Sequence, residues 1–249
     1  MTRITMLLVA TILAALTACG EVPRTGRLVM IWYDASASVQ RHDVLEDALK
    51  RTVRKLGPGD RVVVGLISSR TADELTIVMD STPVPGDAAT VIASVSGLGT
   101  GRWEMDRQAR ADSLADRVVA AVRTARNGVD NRATRIIEAL EVSGELARSD
   151  GRPARVLIMS DGVEDSDRVR LASQGRVDGA MGKRIAERQG TPALDGIKVT
   201  MVGVGSASVS GLSSFWNAWL RHAGAIVDRA GIAGQLLTDP LDCDQCRQR

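Results

Sequence analysis

The chain alternates between short apolar runs and longer segments in which apolar residues recur with a helical period. Residues 28–33 form a continuous apolar run, which is typical of a parallel strand covered on both faces. Residues 43–56 follow with apolar positions at close to helical spacing, and Gly57, Pro58 and Gly59 predict the end of that helix. A buried strand followed by an amphipathic helix is therefore the first unit of the fold.

The same pattern continues along the chain and predicts the remaining elements. Further buried strands are predicted at 61–67, 154–160 and 197–204, and edge strands at 74–79, antiparallel to its neighbour, and at 225–227. Helical periods extend over 105–126, over a segment that begins near Thr134, and over 212–222. Strands that alternate with helices predict an α/β fold, a doubly wound and mostly parallel sheet with helices on both faces.

Composition places the chain among globular proteins and excludes one class of partner. Of its 249 residues, 44% are apolar and 25% are charged, and the formal net charge is +2. A charge this small gives no electrostatic reason to expect a nucleic acid. Aromatic residues make up 2% of the chain, so there is no platform on which bases would stack. We therefore expect no nucleic acid partner.

The first residues have the features of an export signal. Arg3 supplies a positive charge, and residues 6–16 form an apolar run too short to span a bilayer. The tetrapeptide Leu-Thr-Ala-Cys that ends at Cys19 resembles a bacterial lipobox. The resemblance implies cleavage before Cys19 and attachment of lipid to it, so that acyl chains would anchor the mature protein without a spanning helix. An ordinary secretory signal, with Cys19 incidental, is the alternative.

This interpretation divides the chain into a signal peptide (1–18), a tether after the lipidated cysteine (19–27), an α/β domain (28–228) and a C-terminal tail (229–249). In the bacterial sorting pattern an Asp after the cysteine favours retention in the inner membrane, and this chain has Gly20 there. We therefore expect a location in the bacterial cell envelope, anchored by lipid to the outer membrane and facing the periplasm.

The tail contains the other two cysteines, Cys243 and Cys246, in a C-x-x-C arrangement. An oxidising compartment favours a small local disulfide between them. A redox C-x-x-C normally opens a helix after a strand, and a zinc site needs further Cys or His ligands, whereas His42 and His222 are the only histidines of the sequence. A disulfide is thus the expectation, and a redox role is the alternative.

Polar side chains stand where predicted strands end. Asp34, Ser36 and Ser38 follow the first strand within five residues, and Asp161 follows the strand at 154–160. The carboxyl ends of parallel strands share one edge of a sheet, and ligands of open α/β sheets bind at that edge. Thr134 precedes a helical pattern, so it can cap that helix or point its hydroxyl at the same edge.

Together these residues resemble the metal-ion-dependent adhesion site (MIDAS) of a von Willebrand factor A (vWA) domain. That family has Asp-x-Ser-x-Ser after the first strand, a Thr in a later loop before a helix, and an Asp after the fourth strand. The resemblance covers roughly residues 28–228 and implies a Rossmann-like vWA fold. It also implies a site for Mg²⁺ (or Mn²⁺), completed by an Asp or Glu carboxylate of a protein partner. The implied metal ligands are Asp34, Ser36, Ser38, Thr134 and Asp161.

The residue types agree with this chemistry independently of the family. Three hydroxyls and two carboxylates offer only oxygen, which is what Mg²⁺ prefers, and offer no soft or imidazole ligand that would favour zinc or copper. The alternative is that these Asp, Ser and Thr side chains only satisfy loop amides as turn and cap residues.

Enzymatic motifs are missing from the sequence. It has no Gly-x-Ser-x-Gly elbow, no Walker-type phosphate loop and no His-Glu-x-x-His. We therefore expect a membrane-anchored, metal-dependent protein-binding or adhesion module and not an enzyme. The alternative is a metal-dependent hydrolase of the cell envelope that uses the same oxygen cluster, although Ser36 stands where such sites commonly have a second Asp. The arginine-rich stretch 163–190 is expected to lie beside the site and to help select the partner.

Overall fold

A computed structural model of the chain describes residues 26–57, 59–69, 76–82, 100–205, 209–227, 231–234 and 241. Six strands form one sheet: β1 (Leu28–Asp34), β2 (Arg61–Ile67), β3 (Ile77–Ser81), β4 (Ala154–Met159), β5 (Lys198–Val202) and β6 (Ile232–Ala233). The helices are α1 (His42–Arg54), α2 (Thr100–Arg126), α3 (Ile136–Asp150), α4 (Gly179–Gln189) and α5 (Leu212–His222).

The strands lie in the order β3-β2-β1-β4-β5-β6, with β1 at the centre. All neighbouring pairs are parallel except β2 and β3, which are antiparallel. Helices cover both faces of the sheet. This confirms the predicted fold class, a doubly wound and mostly parallel α/β sheet.

The two faces of β1 build two separate cores. Met30 and Trp32 pack on the side of α3 and α5, whereas Ile31 and Tyr33 pack on the side of α1 and α2. Successive side chains of a strand point to opposite faces, and every residue of β1 is buried, so a continuous apolar run is what this position requires. The Nε1–H of Trp32 donates a hydrogen bond of 2.7 Å to the Ser143 hydroxyl of α3, which satisfies the one polar atom of the indole.

Two of the predictions at the sheet's edges need correction. The prediction of an edge strand at 225–227 is wrong, because Ile226 makes only an isolated bridge to Lys198. The edge strand is β6. The strand predicted at 74–79 is present but lies later, as β3, and residues 74 and 75 lie outside the described residues. Helix α4 was not predicted at all within the arginine-rich stretch.

Arg27 and Leu241, which are far apart in the sequence, meet at the amino edge of the sheet, where the strands begin. The Arg27 guanidinium donates to Asp60 at 2.7 Å and to the carbonyl oxygen of Leu241, a buried residue of the predicted tail. Cys19, Cys243 and Cys246 lie outside the described residues. Within the described ranges no helix is both long and apolar enough to cross a membrane.

Candidate metal centre

The predicted site residues lie at the carboxyl edge of the sheet, where β1 and β4 end side by side. Tyr33 of β1 is level with Met159 of β4, so the polar residues that follow each strand are neighbours. Asp34 and Asp161 are both almost completely buried, at 0% and 1% exposure. Two carboxylates thus lie in the interior of the protein, at the position where α/β sheets bind ligands.

Asp34 uses both of its carboxylate oxygens. Its Oδ1 accepts the N–H of Ser36 at 2.8 Å, and its Oδ2 accepts the hydroxyl of Ser160 at 2.6 Å. Burial raises the pKa of Asp34 to about 6, the hydrogen bonds from Ser160 and Ser36 oppose that rise, and the charge of Asp161 adds to it. Removing a carboxylate from water without a cation beside it favours the protonated form, and this explains the direction.

Asp161 uses only one of its oxygens. Its Oδ1 accepts the N–H of Val163 at 2.9 Å, whereas its buried Oδ2 has no hydrogen-bond partner within the described part of the chain. Gly162 has a φ of +85°, a backbone conformation that side chains other than glycine disfavour, and its carbonyl accepts the Trp216 indole N–H at 2.8 Å. The turn is therefore fixed, and it holds an unpaired carboxylate oxygen in the interior, which costs free energy.

The three predicted hydroxyl ligands come from two loops. Ser36 is buried and Ser38 is exposed, and their Oγ atoms lie 3.0 Å apart in the turn after β1. Thr134 is buried, and its carbonyl accepts the N–H of Asp165 at 2.8 Å, which ties its loop to the segment after β4. The N–H of Ala37 donates to the carbonyl of Asn131 at 3.1 Å, so the same loop is also held against the turn after β1. All five predicted residues are therefore at one edge.

Thr134 does not cap helix α3, which was one of its two predicted roles. The helix begins at Ile136 with Arg135 at the N-cap position, and no side chain of that position makes a cap bond. Instead, Oε2 of the fully buried Glu164 accepts the N–H of Ile136 at 2.7 Å and that of Ile137 at 3.1 Å. The capping alternative for Thr134 is therefore wrong, because a side chain from the loop after β4 occupies that role.

Glu164 and Ser160 are site residues that the sequence analysis missed. Burial raises the pKa of Glu164 to about 8, against the hydrogen bonds that it accepts from the N–H groups of Ile136 and Ile137. Ser160 ties Asp34 to the turn after β4, since its Oγ donates to Asp34 and accepts the N–H of Gly162 at 3.0 Å. A hydroxyl at the end of a buried strand was a visible signal for Ser160. Glu164 gave no such signal, because its partners are backbone amides 27 and 28 residues away.

The donor set at this edge fits a hard divalent cation. Asp161 Oδ2 lacks a partner, and the neighbouring carboxylate of Asp34 has a raised pKa, so a positive charge between them would relieve both costs. In the described ranges no three side chains of His, Cys, Asp and Glu group together as they would to hold a metal. Ser36, Ser38 and Thr134 supply hydroxyls there. Oxygen ligands of this kind suit Mg²⁺ or Mn²⁺. Binding of a metal by these residues remains a prediction.

Comparisons with known proteins give matches among solved structures alone. No family model matches the sequence, and no curated protein matches it. The VWA domain of SpRpn10 is 10% identical with a TM-score of 0.43, and the match covers 87% of this chain and 94% of that one. The ArnB paralog VWA2 from Sulfolobus acidocaldarius is 12% identical with a TM-score of 0.44, over 86% of this chain and 42% of that one. The manganese-loaded TRAP protein of Plasmodium vivax is 12% identical with a TM-score of 0.41, over 82% of this chain and 69% of that one.

Identities this low leave the fold assignment to the topology itself. A central parallel strand, flanked on both sides by parallel strands and ending in Asp-x-Ser-x-Ser, is observed directly, as is an antiparallel strand at one edge. The chain thus has the doubly wound α/β fold that the resemblance to a vWA domain implies.

Proposed function

We propose that this protein is a lipid-anchored, metal-dependent protein-binding module of the bacterial cell envelope, with a site for Mg²⁺ or Mn²⁺. The observation that carries the proposal is the buried, unpaired Oδ2 of Asp161 next to the buried carboxylate of Asp34. A folded protein rarely keeps such an oxygen in its interior without a partner. A cation supplies that partner.

Each site residue has a role in this proposal. The hydroxyls of Ser36, Ser38 and Thr134 would contact the metal, and Asp34 and Asp161 would hold it directly or through water. Ser160 orients Asp34 for this role, because its hydroxyl fixes Oδ2 at 2.6 Å. A bound metal supplies a Lewis-acidic position that accepts an Asp or Glu carboxylate of a partner protein.

Anchoring at Cys19 is compatible with this role of the site. The tether would join the domain at Arg27, just before β1, whereas the site follows the other end of β1. The seven residues of β1 span on the order of 20 Å at about 3.3 Å per residue, so the site faces away from the anchored edge. Metabolic labelling with a palmitate analogue tests the anchor. We expect label on the wild type and none on Cys19→Ser, and an unlabelled wild type in a bacterial host contradicts lipidation.

We propose a binding role and not a catalytic one. The nearest histidine in sequence, His42, is hydrogen-bonded through Nδ1 to the Tyr33 hydroxyl at 2.9 Å and stacks on the Tyr33 ring, so it is held on the side of α1. A metal-dependent hydrolase is the alternative, and a phosphatase and esterase panel with Mg²⁺ separates the two. Turnover that Asp34→Ala abolishes would favour the hydrolase.

The proposal is tested by capture of partners from solubilised envelope, with and without a chelator. We expect wild type to retain protein partners in Mg²⁺ and to release them when the metal is chelated, and we expect Asp161→Asn to retain none. Asp116→Asn is the matched control, because it removes the same charge from helix α2, outside the stretch 163–190, at a side chain that is 65% exposed. Capture that is equal with and without chelator contradicts the proposal.

A further inference from the structure

A small pocket of about 70 Å³ opens beside Asp161 at the carboxyl edge of the sheet. Its walls come from the start of α1 and from the segments that follow β4, β5 and β6. Three aliphatic side chains form one wall, and two glycine backbones form another. One cationic and one anionic side chain also line it. The lining residues are Val39, Arg41, Val44, Leu45, Asp161, Gly203 and Gly234.

The pocket is closely packed at Gly203. Gly203 has a φ of +100°, and a Cβ atom there would lie 2.7 Å from the Ser160 carbonyl oxygen and 3.0 Å from a Leu45 methyl group. Val39 and Leu45 are themselves buried. A side chain at position 203 would therefore collide with the strand end that carries Asp161. The side of the pocket at Gly203 is therefore formed by the fold itself, without a ligand.

The two charged groups of the pocket differ in how their charges are balanced. Asp161 is buried and has an unpaired Oδ2, as described above. Arg41 is 60% exposed, and its only ion pair in the described part of the chain is with Asp43, which is 71% exposed, at 3.2 Å. Exposed pairs of this kind contribute little to stability, so another carboxylate can take the place of Asp43.

The position of Arg41 also favours an anion. It is the N-cap residue of α1 and makes no side-chain cap bond, so its guanidinium stands at the positive end of a helix of 13 residues. An acidic group at this point meets the guanidinium and the helix terminus together. An anion in the same pocket would be repelled by Asp161 unless a metal neutralises that carboxylate.

We propose that the pocket binds a second acidic group of the partner. The partner is an acidic peptide segment in which one carboxylate completes the metal shell and a second, close along the segment, binds Arg41. The aliphatic wall contacts the short hydrocarbon link between the two. This inference rests on the proposed function, because the first carboxylate needs the metal.

Two small probes that differ in one group test the inference: glutarate, with two carboxylates, and glutaramate, in which an amide replaces one of them. Their dissociation constants are obtained from melting-temperature titrations of the full chain in detergent with saturating free Mg²⁺. For wild type we expect glutarate to bind at least fivefold more tightly than glutaramate. For Arg41→Gln we expect this ratio to fall to about one, and for Asp43→Asn, which removes the competing carboxylate, we expect it to rise.

Arg51→Gln is the matched control, because it removes the same charge from an exposed position of the same helix, in its last turn. It should keep the wild-type ratio. Two results overturn the inference: a wild-type ratio of one, and a ratio that Arg41→Gln leaves unchanged. If Mg²⁺ still raises the melting temperature, the proposed function stands. If Mg²⁺ alone has no effect on wild type, the proposed function fails and the inference fails with it.

Discussion

Buried carboxylates lie at both edges of the sheet, but only those at the amino edge form ion pairs among the described residues. At the amino edge, Asp60 pairs with Arg27 at 2.7 Å, and Asp150 pairs with Arg61 at 2.9 Å and with Arg152 at 3.2 Å. These aspartates are almost as buried as those of the carboxyl edge. Each of them, however, has an arginine of the same chain beside it, so its charge is balanced within the fold.

At the carboxyl edge no described arginine forms an ion pair with the buried carboxylates, and the ion pair of Arg41 is with the exposed Asp43. Asp34, Asp161 and Glu164 are buried, and none of them forms an ion pair in the described part of the chain. Burial therefore raises the pKa of Asp34 and of Glu164. The same sheet balances its charges at one edge and leaves them unbalanced at the other. The difference supports the proposal that a cation from outside the chain binds at the carboxyl edge.

This difference between the two edges predicts different effects on stability when Asn replaces a buried Asp at each edge. Asp150→Asn breaks an ion pair with Arg61 and Arg152, so we expect it to lower the free energy of unfolding by about 3 kcal/mol, with or without Mg²⁺. Asp161→Asn removes a charge that forms no ion pair in the described part of the chain, so without Mg²⁺ we expect little loss of stability or a gain. Urea unfolding of both variants measures this. A loss for Asp161→Asn as large as that for Asp150→Asn would break the comparison.

The carboxyl edge should also make stability depend on pH. Glu164 has a folded pKa of about 8, above its ordinary value near 4.5, because burial disfavours its charged form. Folding therefore favours the protonated acid. Its stabilising contribution is complete below about pH 4.5 and is lost as the pH rises towards 8. Asp34, with a folded pKa of about 6, adds a loss between about pH 4 and 6.

Glu164→Gln separates these two contributions. The glutamine keeps a carbonyl oxygen for the N–H groups of Ile136 and Ile137 but cannot ionise. In urea unfolding without metal we expect wild type to lose stability from pH 5 to 8, by roughly a few kcal/mol. The variant should lose clearly less above pH 6. The charge of Glu138 also raises the pKa of Glu164. An identical pH dependence in the two proteins would contradict the unbalanced charge of Glu164.

The smallest effect is expected beyond the amino edge, in the tail. If Cys243 and Cys246 form a local disulfide, mass spectrometry of the unreduced protein should show the C-terminal peptide two hydrogens lighter than its reduced form. We expect Cys→Ser at both positions to change global stability little, because the closed loop is short and terminal. Two free thiols, or a bound zinc ion, would contradict the disulfide.

Elements that a single apolar pattern defines were predictable from the sequence. Strand β2 and helix α5 have the predicted bounds, since each has a continuous run or a stripe of large apolar residues. Helix α4 was missed because its contact with α5 uses backbone instead of large side chains. A Cβ atom at Gly182 would lie 2.3 Å from the Phe215 carbonyl oxygen, so the helix is identified by a missing side chain, which no apolar pattern reveals.

The site was predictable to a similar extent. The Asp, Ser and Thr residues follow strand ends or precede a helix, and parallel topology brings strand ends together. Glu164 was not predictable in the same way, because a buried side chain that binds main-chain N–H groups depends on how two distant loops pack. That no described arginine forms an ion pair with Asp34 or Asp161 is also a tertiary fact, since arginines are frequent throughout the sequence around both.

The most direct test of the unbalanced carboxyl edge is the melting temperature of the full chain in detergent as a function of Mg²⁺ concentration. A ligand that binds only the folded state at roughly 100 times its Kd stabilises it by about 2.7 kcal/mol, or on the order of 5–10 °C for a domain of this size. We expect that rise for wild type and for the exposed-site control Asp167→Ala, and none for Asp34→Ala, Ser36→Ala or Asp161→Ala. Either of two results would contradict a metal site at the carboxyl edge. The wild-type melting temperature does not change with millimolar Mg²⁺ or Mn²⁺, or the Asp161→Ala variant responds to the metal as wild type does.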